Sequence, residues 1–454
     1  MEKIGTPPSQ DFQSVDFGDK RLNDRLLKSI DILAKNAQES ILGADKKRSS
    51  AKGFYRLLSN EKFNIEQMAE AVNQSTITRM EGLETVLLIE DTTDINLNGH
   101  KKTEGLGYSS EHILGIKTHS CIALTPEGLP LGLVRQTYAT RLKGESNRKK
   151  SEKASRPIEE KESYRWLWMF DASTLYIPKD IHVVTICDRE GDFYELYAYA
   201  LALGEDFVIR VTHDRVTDTD EKILSQIRRT GKAGDVTVNV PRDARANIPA
   251  RQVQMETAYC RVNIKKPANI SDGTLPASLV FNLVRITETE VKEGRKPIEW
   301  ILATSLPLNS PGDAMTVVEY YIQRWKIERF HFVLKSGCSV EKIQQRTYEK
   351  IKPMLLIYSV IALYIMAVTY IGRVLPDTPC SAFFDTDEWE ILYRIIHRTK
   401  IPPSEPYSMA DAVKYLGELG SYKRAPSDGP PGLKSIWKGL MKLYEYLELF
   451  SGQN

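Results

Sequence analysis

Two aspartates in this chain follow apolar runs. Thr85–Ile89 (TVLLI) leads into Glu90 and Asp91, and Ile181–Cys187 (IHVVTIC) leads into Asp188. Ligand-binding groups of α/β sheets collect at the carboxyl ends of strands. If the two runs are neighbouring parallel strands, both aspartates sit just past their ends and the carboxylates converge. Magnesium favours a site of very few carboxylates completed by water and phosphate oxygens, and this pair suits it. A lone strand-end aspartate is more often a turn residue, and Glu90, Asp94 and Asp192 lie close enough in sequence to stand in for either.

A third carboxylate stands further on. The spacing predicts one helix from Ala314 to about Lys335, carrying Tyr321, Arg324, Glu328 and Lys335. At about 100° per residue these four fall within a stripe roughly 60° wide. The stripe reads either as an ion-pair row, with Arg324 and Glu328 four apart, or as a site. In the second reading Glu328 completes a three-carboxylate cluster, and Tyr321, Arg324 and Lys335 grip phosphates beside it.

The elements that must position these residues are legible as patterns. Residues 20–36 carry Leu22, Leu26, Ile30 and Leu33 at helical spacing, and residues 50–60 read as another helix, so the N-terminus is a small basic helical unit. Lys117–Leu124 and Leu129–Arg135 read as a hairpin turning at Pro126-Glu127-Gly128. Helices are expected at 160–170 and Phe193–Leu203, and strands at Ile181–Cys187, Asp206–Val211 and Trp300–Ala303. Hairpin, then alternating strand and helix, argues for a mixed α/β sheet. Residues 213–299 hold short β-like runs broken by Pro, Gly and charge, a β-rich insertion. The Pro-rich end (IPPSEP, APSDGPPG) precedes a last helix at Leu433–Phe450.

Composition sets the outer bounds. A chain of 454 residues is too long for one ordinary core, and 41% hydrophobic with 27% charged residues describes a soluble globular protein. The net charge of +2 conceals basic stretches: eleven Lys/Arg against eight Asp/Glu in residues 1–60, and eight against three in Tyr321–Lys352. Such patches attract phosphate backbones. Five scattered cysteines without a C-x-x-C pair suggest neither zinc nor disulfides and fit a reducing cytosol. The start MEKIGTPPSQDF has no apolar region of a secretory signal. Met354–Gly372 is nineteen residues without a charge, long enough for a membrane span or for a helix buried in a large core.

The motifs together resemble a known family. Tyr321-x2-Arg324-x3-Glu328-x6-Lys335 is similar to the YREK signature of bacterial insertion-sequence DDE transposases, the family that includes the transposase of transposon five. IEDTT (Ile89–Thr93) and CDREGD (Cys187–Asp192) resemble the two aspartate motifs. EKESYRW (Glu160–Trp166), FVIR (Phe207–Arg210), PIEWILATS (Pro297–Ser305), FGDKRLNDRL, FYRLLSN and PGLKSIWKGLMKL resemble further family elements in order.

The resemblance implies an α/β fold: a ribonuclease H-like mixed-sheet catalytic core with a β-rich insertion, flanked by helical domains. These are an N-terminal DNA-binding domain (1–70), the catalytic domain (71–372, insertion about 213–299) and a C-terminal dimerisation region (373–454). It implies that Met354–Gly372 is buried in a cytoplasmic protein. It makes Asp91, Asp188 and Glu328 the metal triad for two Mg2+ ions, with Mn2+ substituting. Trp300 then holds a flipped base and Trp325 lies near the same DNA. Arg210 contacts the end sequence, and Arg21 and Arg25, among Lys20, Lys35, Lys52 and Arg56, contact phosphates. The implied activity is cut-and-paste transposition: nicking, hairpin formation and opening at transposon ends, then strand transfer into target DNA. The implied partners are double-stranded DNA bearing terminal inverted repeats, target DNA and a second copy of the chain. The rival readings are a metal nuclease of the same fold and a non-catalytic DNA binder.

Overall fold

The structure is a computed structural model describing residues 5–39, 41–44, 48–143, 157–240, 251–270, 272–291, 297–423 and 429–451. Parts of the expected insertion (241–250, 271 and 292–296) and of the Pro-rich end (424–428) lie outside them. The chain forms two compact units. The first comprises Met1–Leu83, Thr92–Ser146 and Lys326–Asn454, the second Glu84–Asp91 and Asn147–Trp325.

In the second unit the sheet order is β1-β4-β5-β9-β8-β7-β6. Strand β1 is Thr85–Asn96, of which the residues up to Asp91 belong here. The others are β4 (His182–Cys187), β5 (Asp206–Arg210), β6 (Gly234–Val240), β7 (Arg251–Lys265), β8 (Ser278–Glu288) and β9 (Glu299–Thr304). Strands β1, β4 and β5 run parallel, which explains their unbroken apolar runs: a parallel strand is covered on both faces. Strands β5 and β9 are antiparallel, and β8, β7 and β6 continue the same sheet as an antiparallel meander. The expected insertion is therefore an extension of this sheet, joined by a helix at Ile223–Arg229.

Helices in this unit pack onto one core. Those of Tyr164–Thr174 (α4) and Tyr194–Leu203 (α5) supply Trp166, Phe170 and Tyr197, all buried with Phe207 and Phe281. Tyr197 stacks on Phe281 at 5.0 Å. Helix α5 ends where Gly204 takes a left-handed φ of 71°, and its N–H caps the carbonyls of Ala200 and Leu201. With Ile223–Arg229 as α6, the next helix is α7 (Pro311–Ile322). It starts at a capping box of Ser310 and Asp313 with proline in its first turn.

The first unit holds α1 (Lys20–Lys35), α2 (Arg48–Leu57) and α3 (Ile65–Thr78). Its hairpin is β2 (Gly115–Leu124) with β3 (Pro130–Ala139), as the turn residues predict. Helices α8 (Trp325–Phe332, which starts on the last residue of the second unit), α9 (Tyr348–Val374), α10 (Thr386–His397), α11 (Met409–Leu419) and α12 (Leu433–Ser451) follow. The long apolar helix α9 is the spine of this core, with 89% of its most apolar window buried. Its Ser359 hydroxyl is 2.9 Å from the Gln136 side-chain nitrogen on β3, and its Tyr364 is 3.2 Å from Tyr444 on α12. Helices α11 and α12 meet so closely that a Cβ on Gly439 would stand 2.0 Å from the Leu416 carbonyl oxygen. Gly439→Ala is therefore expected to lower the unfolding free energy by about 1–3 kcal/mol through forced separation of two backbones, read as a denaturant midpoint shift at unchanged slope.

Two expectations need correction. Strand β1 does not stop before Asp91 but runs on to Asn96. Its second half reads as polar, yet Ile95 and Leu97 are buried, and a Cβ at Gly115 would touch the Ile95 carbonyl oxygen, so the polar residues still ride on a strand. The expected single helix from 314 to 335 is three pieces. Gln323 and Arg324 donate to carbonyls three residues back, which tightens the chain between α7 and α8, and Val333–Gly337 widens into a π-turn. The single-helix stripe therefore does not describe these four residues. Helices α10 and α11 lie in the region expected to be helical (373–454), on either side of the first Pro-rich run; Asp385 with Glu388, and Ser408, cap them.

Candidate active site

Asp91 and Asp188 reach one place through strand register. Neighbouring parallel strands β1 and β4 pair from Thr85–His182 to Ile89–Ile186, and each aspartate lies two residues beyond that last couple. The pairing carries them side by side, with side chains in the same phase. Asp188 begins a short turn, Arg189–Gly191, and its Oδ1 accepts the Glu190 N–H at 2.8 Å. Burial raises the Asp188 carboxyl above the usual carboxylate range, against the pull of that N–H and of Arg324.

Arg324 is the cation of the site. It is 7% exposed, and its guanidinium lies 4.0 Å from the Asp91 carboxylate. It also faces the rings of Tyr321, at 5.8 Å, and Trp325, at 5.5 Å. The break between α7 and α8 is what places it, because Arg324 is the residue at which the helix is interrupted. Tyr321 is 1% exposed and stands edge-on to Trp300 at 5.5 Å. Arg210, the last residue of β5, lies 5.9 Å from the Trp300 ring. Burial lowers the Arg210 guanidinium from its ordinary value, and the neighbouring Tyr321 offsets part of this.

Seven of the residues singled out from sequence thus fall in one unit: Asp91, Asp188, Arg210, Trp300, Tyr321, Arg324 and Trp325. Trp300 is 6% exposed, packed as a core aromatic between Tyr321 and Arg210. Glu328, on α8, and Lys335, in the π-turn, belong to the first unit. Among the described residues no three His, Cys, Asp or Glu side chains are grouped so that they could hold a metal ion. The donor chemistry of the aspartate pair still fits one: hard carboxylate oxygens, one raised by burial in a way that a divalent cation would relieve.

The nearby acids separate by environment. Asp192 is fully buried and accepts from Tyr197 Oη at 2.7 Å, from the His213 N–H at 2.7 Å and from Arg215 at 2.5 Å. It is committed to the fold. Asp94 pairs with Lys117 at 3.5 Å. Glu90 is fully buried, alternation puts it on the opposite face of β1 from Asp91, and burial holds its carboxyl well above the usual range. Glu90→Gln is expected to leave DNA cleavage within about twofold of the parent in a nicking assay; a collapse of cleavage would move the site to the other face.

Sequence reasoning missed Arg165. From α4 it grips the Glu190 carboxylate at 2.5 Å and donates to the Glu162 carbonyl at 2.7 Å, which braces the turn that carries Asp188. Its place inside the quoted SYRW motif was the available signal. Arg215 left no such signal.

In the N-terminal helices, Arg21 is exposed and held 3.2 Å from Asp19, the residue that caps α1. Arg25 is exposed on the same helix, its guanidinium lying over Gly53 of α2.

Comparison with known proteins agrees with these chemistries. Residues 9–63 match the family described as "Transposase DNA-binding", a span that contains α1 and α2. Residues 177–365 match the family described as "Transposase DDE domain", a span that contains Asp188 and Glu328 but starts after Asp91. The cryo-EM structure of the piggyBac transposase synaptic complex with hairpin DNA aligns with 98% of this chain and 81% of that one, at 9% identity and a TM-score of 0.39. The chain is a transposase with a DNA-binding domain and a DDE domain, an enzyme of divalent-metal-dependent phosphodiester hydrolysis and transesterification. DDE domains use divalent metal, generally Mg2+.

Proposed function

We propose that this protein is a cut-and-paste transposase of the bacterial insertion-sequence type with the YREK signature, akin to that of transposon five. Asp91, Asp188 and Glu328 hold two Mg2+ ions, for which Mn2+ substitutes. The observation that carries the reading is the register of β1 and β4, which sets Asp91 and Asp188 side by side with Arg324 against them.

The bound ions would lower the pKa of the attacking water or 3′-hydroxyl and stabilise the leaving 3′-oxygen. The remaining work falls to the chain's own groups. Arg324 supplies a fixed positive charge where the scissile phosphate must enter, and its partial burial makes that charge stronger than it would be in water. Lys335 adds a phosphate contact, while Tyr321, buried against Trp300 and Arg324, positions them rather than touching DNA. Arg165 keeps the Asp188 turn in place through Glu190. Trp325, half-buried beside Arg324, offers an aromatic face for a base that leaves the stack when a hairpin forms, and Trp300 would share that role only if its buried ring were uncovered; Arg210 contacts the end sequence. Arg21 and Arg25 belong to a domain of about residues 1–70 that positions the DNA through its backbone. The catalytic domain is 71–372, and 373–454 pairs two copies on DNA in the bacterial cytoplasm.

The test uses a supercoiled plasmid carrying the inverted repeats that flank the gene. With Mg2+ the full chain is expected to release the intervening segment through hairpin ends and to insert it elsewhere. Nicking without hairpins or insertions would instead make it a nuclease of the same fold.

A further inference from the structure

Three cations gather about two aromatic rings in the first unit, two of them on Tyr370 and one on Phe332, and the carboxylate chemistry uses none of them. Lys326 and Arg329 lie three residues apart on α8, and Arg373 lies in the last turn of α9. Lys326 Nζ stands 3.5 Å from the centre of the Tyr370 ring, and Arg373 Cζ stands 5.2 Å from it. Arg329 rests on Phe332 at 4.9 Å and is close enough to Tyr370 and Arg373 for its charge to act on both. Tyr370 itself is 8% exposed, a firm platform, while both arginines face solvent. Among the described residues, none of the three cations has an acidic partner within 4.0 Å.

This arrangement differs from an ordinary charged helix face. A solvated face usually intersperses both signs or spreads like charges apart. Here like charges are brought together on neighbouring π-faces, Lys326 and Arg373 on Tyr370 and Arg329 on Phe332, which attract the cations but neutralise none of them. An anion bound among them would relieve their mutual repulsion. Guanidinium groups match phosphate in a bidentate fork, and an ammonium adds a point charge. We propose that Lys326, Arg329 and Arg373, arrayed about Tyr370 and Phe332, form a binding site for a backbone phosphate of DNA.

The proposal rests on the reading of DNA as partner but not on the metal chemistry. Its test measures binding of the full chain to a labelled duplex of random sequence over a range of salt. The slope of log affinity against log salt reports phosphates neutralised, at about 0.9 per contact on duplex DNA. Arg329→Gln is at an exposed position, and Arg329→Gln with Arg373→Gln removes the fork, while Arg373→Lys restores charge. Because Arg373 also donates to the Pro431 carbonyl at 3.0 Å, the single Arg329 variant guards against a folding effect. The expected result is a slope reduced by about 0.9 in the double variant, a smaller reduction in Arg329→Gln, and recovery in Arg373→Lys. An unchanged slope in both Gln variants overturns the site. So does an unchanged slope accompanied by loss of self-association, which would make the anion a carboxylate of a second copy. Cleavage by an Asp188 variant reports separately on the active-site reading, so either can fail without the other.

Discussion

Asp188→Asn is expected to lower DNA cleavage by about 10³-fold while leaving fold and DNA binding intact. The asparagine keeps the size of the side chain, and its carbonyl oxygen can still accept the Glu190 N–H that holds the turn at 2.8 Å. What it removes is the charge. Asp188 is a carboxylate that burial already disfavours, so its ionised form costs the free protein stability. A bound divalent cation would offset that cost. Removing its charge should therefore leave the melting temperature equal to or above that of the parent. The two readouts together separate a metal ligand from a structural acid, because a structural acid would lose stability along with activity. Single-turnover cleavage of a labelled duplex checks the first arm and thermal melting the second.

Arg215→Ala is expected to have the opposite signature, a loss of about 3–5 kcal/mol of unfolding free energy. The Asp192 carboxylate has no solvent exposure, and Arg215 is its only buried cationic partner among the described residues, at 8% side-chain exposure. Arg215 also donates to the Asp192 carbonyl at 2.8 Å and lies over the Tyr197 ring at 5.2 Å. Deleting it strands a buried charge beneath the Asp188 turn. Asp192→Asn in the same background removes that charge and should recover part of the loss, as measured by urea unfolding at constant slope. A loss below about 1 kcal/mol would mean that Tyr197 Oη and the main-chain donors alone satisfy Asp192.

These two aspartates, four residues apart in CDREGD, show how much of the site was legible. The apolar run before Asp188 predicted a strand, and the strand is there. Sequence could not say which acid of the motif works and which is structural, because that depends on Arg215, Tyr197 and the main chain at Thr212 and His213, brought up by the fold. At Asp91 the error was one of boundary. An apolar run marks where a strand is covered on both faces, not where it ends, and β1 continues through polar residues to Asn96.

The break at Gln323–Arg324 was invisible for a different reason. No proline or glycine marks it, and every residue from Tyr320 to Trp325 is compatible with a helix. Tertiary demand decides it: a buried Arg324 set against Asp91, Tyr321 and Trp325. Apolar helix α9 carried the opposite ambiguity. Composition allowed a membrane span, and burial against β3 and α12 shows the helix working as a core element.

The proposed chemistry requires a carboxylate cluster built from Asp91, Asp188 and Glu328. Its most direct test is anomalous scattering from Mn2+ in crystals of the full chain bound to its DNA end. The expected result is metal density in contact with oxygens of all three side chains, at about the 2.0–2.6 Å typical of hard divalent ions. Density bound by the two aspartates alone, with Glu328 out of reach, would contradict it.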